Sequence, residues 1–287
     1  MTPFLALAFA VVLWASAFIA IRAAVQVFPP EQVASLRFAI AAVTLVVVGG
    51  FARRRLPEMR DLPRLCAIGA VGIAAYNLAL NTGAQTLSAA AASFLVNTVP
   101  VFSALLAWIV FHEPLRARVA AGIGLSMLGV ALIAHAEDPG SLGTAVGSGA
   151  VLVLLAALCQ AIYFVAQKSL TLKYSPIELT TYVFCAGALA LSFWLVPAIA
   201  SARHASTETV LIIVYLAIVP GVLGFVAYTT ALKHLSVTQA TTALFAVPVI
   251  ALFMGWALLG ERPTRLGVLG AALAIAGVAT TARERSR

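Results

Sequence analysis

Long apolar runs alternate with short polar stretches along the whole chain of 287 residues. A helix needs about 20 apolar residues to cross the hydrocarbon core of a bilayer, and about ten runs reach that length. The pattern therefore predicts an all-α polytopic membrane protein with ten transmembrane helices. The predicted spans are residues 3–25, 32–52, 64–85, 88–111, 117–135, 147–169, 178–200, 208–231, 237–259 and 265–282.

Composition supports this prediction and excludes several classes of protein. Hydrophobic residues make up 62% of the chain and charged residues 10%, whereas soluble domains carry about 25% charged residues. The three cysteines have no CxxC partner and the four histidines have no metal-ligand spacing, so we expect no metal and no cofactor. The sequence has no recognisable phosphate-binding loop, catalytic motif or nucleic-acid patch. We therefore expect neither an enzyme nor a nucleic-acid partner.

The two halves of the chain repeat one another. At an offset of 148 residues Pro100 aligns with Pro248, each within a Val-Pro-Val segment. The rare residues that follow match in the same register: Trp108 with Trp256, Glu113 with Glu261, Gly122 with Gly270 and Gly129 with Gly277. We predict two five-helix repeats, residues 1–139 and 147–287, with residues 136–146 as the linker-like stretch. Because five is odd, the second repeat enters the membrane from the opposite side, which makes these inverted-topology repeats.

Pro100 and Pro248 each interrupt a long apolar helix near its middle. A proline removes one backbone hydrogen bond, which frees the carbonyl groups of Val96 and Leu244. In lipid, such groups are tolerated only against protein or a water-filled cavity. Matching interrupted segments in two halves indicate the binding site of a transporter, and we predict hinge roles for both prolines. The alternative is a kink that only shapes helix packing.

The basic residues predict the orientation. Thirteen Lys and Arg lie on the side that holds both termini and four on the other side, so both termini are predicted to be cytoplasmic. The thirteen are Arg53, Arg54, Arg55, Arg60, Arg64, Arg116, Arg118, Lys168, Lys173, Lys233, Arg283, Arg285 and Arg287. The glycines that recur seven residues apart predict close packing of helices 5 and 10, within a monomer or at a homodimer seam.

These features resemble the drug/metabolite transporter superfamily and its EamA-type members. The paired Val-Pro-Val segments carry the resemblance, together with the helix exits Glu113-Pro114 and Glu261-Arg262-Pro263 and the opening residues 14–18. The length and short loops are similar to those of YddG-type exporters of aromatic amino acids. The resemblance implies a transporter of the bacterial inner membrane. It would export a small metabolite by alternating access from a pocket between the repeats.

Polar and aromatic side chains inside spans are the candidate substrate-binding residues, because burying them requires partners. They are Trp14, Tyr76, Asn77, Asn97, Gln160, Tyr163, Tyr228 and Phe245. Amide groups suit the amino and carboxylate groups of a solute, and aromatic rings suit its apolar part. The alternative is that these side chains hold helices together.

Charged residues refine the expected substrate. Arg37 and Lys168 are expected to extend to the interface, or Lys168 to meet a substrate carboxylate. Glu113 and Glu261 are expected to pair with Arg116 or Arg265, or to cap the next helix. The acidic residues are all predicted in loops or at helix ends, so we expect a neutral or zwitterionic substrate that moves without obligatory proton exchange. The alternatives are a multidrug exporter of hydrophobic compounds and a non-transport membrane scaffold.

Overall fold

The computed structural model describes residues 2–51, 56–87, 89–140, 147–259 and 263–282. Within those ranges every regular element is helical and no strand occurs. Several residues used in the predictions lie outside the described ranges: Arg53, Arg54, Arg55, Glu261, Arg262, Arg283, Arg285 and Arg287.

Contacts divide the chain into two compact units, Met1–Asn81 with Ala166–His234, and Thr82–Val165 with Leu235–Arg287. Each unit takes segments from both predicted repeats. The repeat boundaries at 1–139 and 147–287 therefore stay a prediction.

The first unit begins with two long helices and continues through helices that are interrupted by π-helical and 3₁₀ segments. In chain order the elements are α1 (Pro3–Ala24), α2 (Pro30–Phe51), α3 (Leu62–Gly69), a π-helix (Ala70–Ala75), α4 (Tyr76–Ala84, which runs on into the second unit), a 3₁₀ turn (Ser169–Leu172), α9 (Pro176–Ala190), a second 3₁₀ turn (Ser192–Trp194), α10 (Leu195–His204), α11 (Thr207–Leu216), a second π-helix (Ala217–Leu223) and α12 (Gly224–His234).

The second unit contains the two helices that include the Val-Pro-Val segments, together with their neighbours. They are α5 (Ala89–Val96), α6 (Val99–Phe111), α7 (Ala117–Glu137), α8 (Ser148–Lys168, which ends in the first unit), α13 (Val237–Thr242), a 3₁₀ turn (Ala243–Phe245), α14 (Ala246–Leu259) and α15 (Arg265–Ala282).

Seven helical stretches of the described chain are long and apolar enough to cross a membrane. An eighth candidate is the pair Pro176–Ala190 and Ser192–His204, which is bent by 56°. Two apolar stretches, Pro3–Ala17 and Arg265–Thr281, are shorter. The structure is that of a helical membrane protein, and the count of ten spans stays a prediction.

Close glycine contacts organise the second unit, as the sequence predicted. A methyl group at Gly129 would lie 2.5 Å from the carbonyl oxygen of Gly270, so no side chain separates α7 from α15. Ser126 also donates a hydrogen bond to the carbonyl of Ala274 (3.1 Å). The two helices thus pack backbone to backbone within the chain.

The interruptions at the prolines are breaks rather than single kinks. Helix α5 ends at Val96 and α6 begins at Val99, so Pro100 is the second residue of a new helix and costs that helix no hydrogen bond. In the other half, the 3₁₀ turn precedes α14, and Pro248 is the third residue of α14. The sequence predicted the places but not the form of these interruptions.

Glu113 caps a different helix from the one that we expected. Its carboxylate accepts hydrogen bonds from the backbone N–H groups of Val237 (3.0 Å) and Thr238 (3.2 Å) and from the hydroxyl of Thr238 (2.8 Å). It therefore satisfies orphan donors at the start of α13 rather than pairing with Arg116 or Arg265. The preceding residue, His112, takes a left-handed conformation (φ 54°) that ends α6.

A polar network outside the membrane-spanning helices joins the loop before α3 to the loop before α9. Lys173 Nζ contacts Glu58 Oε2 (2.6 Å) and binds Asp61 Oδ2, and the Tyr174 hydroxyl donates to Asp61 Oδ2 (2.6 Å). The hydrogen bond from Lys173 is the main cause that holds the pKa of Asp61 below its ordinary value, and Tyr174 adds to it.

Candidate substrate-binding site

Two π-helical segments occupy matching positions in the two halves of the chain. Ala70–Ala75 and Ala217–Leu223 coincide at the offset of about 148 residues that relates the halves. In each, the N–H of the next residue binds the carbonyl five residues earlier: Tyr76 to Val71 and Gly224 to Val219. Short π-helical segments leave carbonyl groups without their α-helical partners and occur often at functional sites.

Side chains of α1 and α2 satisfy two carbonyls at the second π-helix, one from the last residue of α11 and one from within the π-helix. Pro220 has no N–H to give to the carbonyl of Leu216, and Arg37 Nε donates to that oxygen (3.2 Å). Because Gly224 binds Val219, the carbonyl of Pro220 lacks its α-helical donor, and Trp14 Nε1 supplies one (3.0 Å). Such compensation is required inside a membrane.

An aromatic cluster surrounds the indole of Trp14. The ring centroids of Phe225 and Tyr228 lie 5.0 Å and 5.2 Å from it. Phe225 contacts Phe184 in turn (5.1 Å), in an edge-to-face arrangement. A methyl group at Gly224 would lie 2.8 Å from Trp14 Nε1, so a glycine is needed for the indole to approach the backbone. Of the predicted site residues, the structure thus brings Trp14 and Tyr228 into contact.

Arg37 is buried, and the expectation that it extends to the interface is wrong. Its exposed fraction is 8%, and its guanidinium lies 5.2 Å from the ring centroid of Phe38. Tyr76, a predicted site residue, lies within electrostatic range of it. The bond to Leu216 explains the inward position, because the π-helix offers an acceptor inside the protein. Lys168 instead donates to the carbonyl of Leu232 near the end of α12 (2.6 Å), where the helix dipole favours a cation.

Two predicted amide residues donate to backbone carbonyls four residues earlier in the chain. Asn77 Nδ2 donates to the carbonyl of Ile73 in the first π-helix (2.7 Å), and Asn97 Nδ2 donates to the carbonyl of Ser93 (2.8 Å). Both bonds span four residues, a pattern in which a polar side chain competes with the helical ladder. The amide nitrogens thus satisfy backbone groups beside helix interruptions, and their predicted contact with substrate stays a prediction.

The remaining predicted residues lie in the second unit. Phe245 is fully buried in an apolar core with Val119, Ile123 and Ala271, which is a packing position. Tyr163 is fully buried with its ring 5.4 Å from that of Phe164. Gln160 is 6% exposed, and its Oε1 atom has no hydrogen-bond partner among the described residues.

Sequence reasoning missed the π-helices and the hydrogen bonds that Trp14 and Arg37 make at the second one. A signal for the second π-helix was present, because Pro220, Gly221 and Gly224 interrupt an apolar run near its middle. These pairings carried no such signal, since Trp14 and Arg37 lie 206 and 179 residues away from the carbonyls to which they donate.

Comparison with known proteins gives the family. The profile of the EamA-like transporter family matches residues 1–135 and 147–283, nearly the whole chain. The chain belongs to this family. Relatives that match most of the chain are named as transporters or exporters. The chain is 37% identical to the "Probable terminal-alkyne amino-acid exporter" of Streptantibioticus cattleyicolor, over 95% of this chain and 91% of the relative.

A second relative and a solved structure also match nearly the whole chain. The chain is 35% identical to the "Uncharacterized transporter YdfC" of Bacillus subtilis, over 94% of this chain and 87% of the relative. One solved crystal structure has a TM-score of 0.77 with 19% identity and covers 97% of this chain and 95% of its own. At that identity the likeness concerns the fold alone.

Proposed function

We propose that this EamA-like transporter exports small amphipathic metabolites, above all amino acids with apolar side chains, by alternating access. The observation that carries the proposal is the interrupted helix around Pro220, where Trp14 meets Phe225 and Tyr228 beside a buried cation. Trp14 stands near the middle of α1 (Pro3–Ala24), and Pro220 near the middle of the span Thr207–His234. Apolar rings next to a polar centre suit a solute with both characters.

The distribution of acidic residues supports an amino acid over an organic cation. In the described chain, Glu31, Glu178 and Glu208 stand in the first turns of their helices, and the other described carboxylates lie in loops or at helix ends. A lipophilic cation bound at mid-membrane would need a counter-charge, because an isolated charge there is costly. A zwitterion carries its own counter-charge, so this function ranks above multidrug export.

The name of one relative supports the same substrate class. A protein 37% identical over 95% of the chain is named as an exporter of an amino acid. We extend that class, and not the alkyne group, to this chain. We further propose that the protein lies in the bacterial inner membrane and moves substrate down the substrate's own gradient.

The experiment is uptake of radiolabelled solutes into liposomes that contain the purified protein. The panel comprises apolar and aromatic amino acids, nucleosides and cationic dyes. Apolar amino acids should enter faster than into protein-free liposomes, and the dyes should not. Transport of the dyes alone would overturn the proposal in favour of a multidrug exporter.

A pair of tryptophan variants assigns the transport to the site. Trp14→Ala should abolish uptake, because it removes both the donor to Pro220 and the ring that contacts Tyr228. Trp108→Ala is the matched control, since Trp108 is 53% exposed on the surface of the chain. Size-exclusion chromatography checks that both variants fold. Equal uptake by the two variants would place the substrate elsewhere.

The two prolines remain proposed hinges. Pro100→Ala and Pro248→Ala should lower the transport rate more than the affinity for substrate, because alanine lets each helix continue through its interruption. The measurement compares the rate of uptake with the dissociation constant of labelled substrate. Equal losses in both quantities would argue against a hinge role.

A further inference from the structure

Arg37 is a charged side chain near the middle of a candidate membrane span. It lies two residues from the centre of the span Pro30–Val48, about 3 Å along the helix axis. Among the described residues it is the one lysine or arginine that is buried, with an exposed fraction of 8%. Ionisable groups at such depth are costly and mark functional sites by default.

Within the described chain, the guanidinium has few partners for its charge. Its hydrogen bond there is the one from Nε to the carbonyl of Leu216, and no carboxylate pairs with it. The ring face of Phe38 lies 5.2 Å from the guanidinium, and Tyr76 is within electrostatic range of it. A guanidinium has five N–H donors in a fixed fork, so the two Nη groups remain available to a further acceptor.

The same π-helix shows that satisfying a carbonyl does not require a charge. The neutral indole N–H of Trp14 performs that task for Pro220, one helical turn after Leu216. A glutamine would serve Leu216 equally well without the cost of burying a cation. The hydrogen bond to Leu216 therefore does not explain the positive charge of Arg37. A buried positive charge is stabilised by an anionic partner.

We propose that Arg37 binds the carboxylate group of the transported amino acid through its Nη fork, with the hydroxyl of Tyr76 as a second donor. The proposal rests on the proposed function and extends it to the recognised group. A fork that binds two carboxylate oxygens is the strongest common arrangement for such a pair. Trp14 and Tyr76 are only partly buried, so each keeps an accessible edge.

The spacing of the two carbonyls fits such a substrate. Leu216 and Pro220 are four residues apart, so Arg37 and Trp14 contact carbonyls that lie about 6 Å apart along the helix axis. An amino acid with its carboxylate at Arg37 would place an apolar side chain beside the indole. The arrangement selects against solutes that lack an anionic group.

The test uses Arg37→Gln, which keeps a donor for Leu216 but removes the charge. Liposome uptake is measured for each apolar amino acid and for the amide of the same amino acid. The wild type should prefer the acid, and Arg37→Gln should lower the apparent affinity for it about 10- to 100-fold, the range of a charge-assisted hydrogen bond. The affinity for the amide should change less than about twofold. Equal losses for acid and amide would show a structural role and overturn the proposal.

A second measurement does not depend on which amino acid is moved. Benzoate, but not benzamide, should raise the unfolding temperature of the purified wild type and fail to do so for Arg37→Gln. If benzoate has this effect while no amino acid is transported, the carboxylate site stands and the proposed function falls. If benzoate and benzamide act alike on the wild type, the proposal is overturned.

A milder variant provides a test that remains valid if Arg37→Gln fails to fold. Tyr76→Phe keeps the ring and removes the hydroxyl, so it should weaken uptake of the acid about 3- to 10-fold, as expected for one hydrogen bond, and leave the amide unchanged. A Tyr76→Phe protein that treats both solutes as the wild type does would remove Tyr76 from the site.

Discussion

The contact between α7 and α15 allows a quantitative test of the packing. Replacing Gly129 by alanine puts a methyl group 2.5 Å from the carbonyl oxygen of Gly270, about 0.9 Å inside the 3.4 Å at which ordinary contact begins. The two nearest atoms are the backbone nitrogen of Ala274 and the carbonyl oxygen of Gly270. Backbone atoms cannot rotate away from the methyl group as a flexible side chain could. The two helices must therefore separate along the contact that Ser126 also bridges.

The magnitude follows from two opposing effects. Overpacking a tight contact costs about 1–3 kcal/mol. Alanine is favoured over glycine inside a helix by about 0.5–1 kcal/mol. Gly124→Ala is the matched control, because Gly124 lies on the same helix and a methyl group there meets nothing within 4 Å. The helix preference is common to both variants, so the difference between them should equal the overpacking cost.

The assay is unfolding of both purified variants in mixed detergent micelles, followed by the loss of helical signal. Gly124→Ala should unfold at or slightly above the wild-type midpoint. Gly129→Ala should be less stable than Gly124→Ala by about 1–3 kcal/mol. Equal midpoints for the two variants would refute the close approach of the helices and with it the packing of the second unit.

Three further predictions concern the cap, the loop network and the orientation. Glu113→Ala should destabilise the protein by about 1–3 kcal/mol, because it leaves two N–H donors at the start of α13 unpaired, and Thr238→Ala should cost less; equal unfolding midpoints for the two variants would contradict the cap. Because the folded-state pKa of Asp61 is lowered, its stabilisation is present above the ordinary value of 3.8 and is lost as the pH falls through the folded pKa. Asp61→Asn should thus lower the unfolding midpoint near neutral pH and converge with the wild type in acid, whereas a pH-independent difference would exclude the carboxylate. A reporter fused after Arg287 should be active in the cytoplasm, and activity confined to the periplasm would reverse the predicted orientation.

The sequence was informative where the spacing of residues repeats between the two halves. Gly129 and Gly277 stand in matched registers of the two halves, and small residues at such spacing predict a close helix contact. The structure confirms that α7 and α15 are in close contact within the chain, with Gly129 against Gly270. The site residues Trp14 and Tyr228 were recognisable individually, because the polar group of a tryptophan or tyrosine inside an apolar span requires a hydrogen-bond partner.

The sequence was uninformative where a backbone group determines the position of a side chain. Arg37 was expected at the interface because a long cationic side chain normally reaches water. Its actual acceptor, the carbonyl of Leu216, is exposed to it only because the π-helix and Pro220 disturb the helical ladder. Glu113 was recognised as a cap, but the capped donors at Val237 and Thr238 lie more than a hundred residues along the chain. Such pairings depend on the packing of distant helices.

The central claim is that the protein carries an amino acid down its own gradient, and counterflow tests it most directly. Liposomes that contain the wild-type protein are preloaded with an unlabelled apolar amino acid and diluted into a trace of the labelled form, with equal pH on both sides. The account predicts transient accumulation of label inside, unchanged by a protonophore and absent with Trp14→Ala. No accumulation by the wild type, or accumulation only under an imposed pH difference, would contradict it.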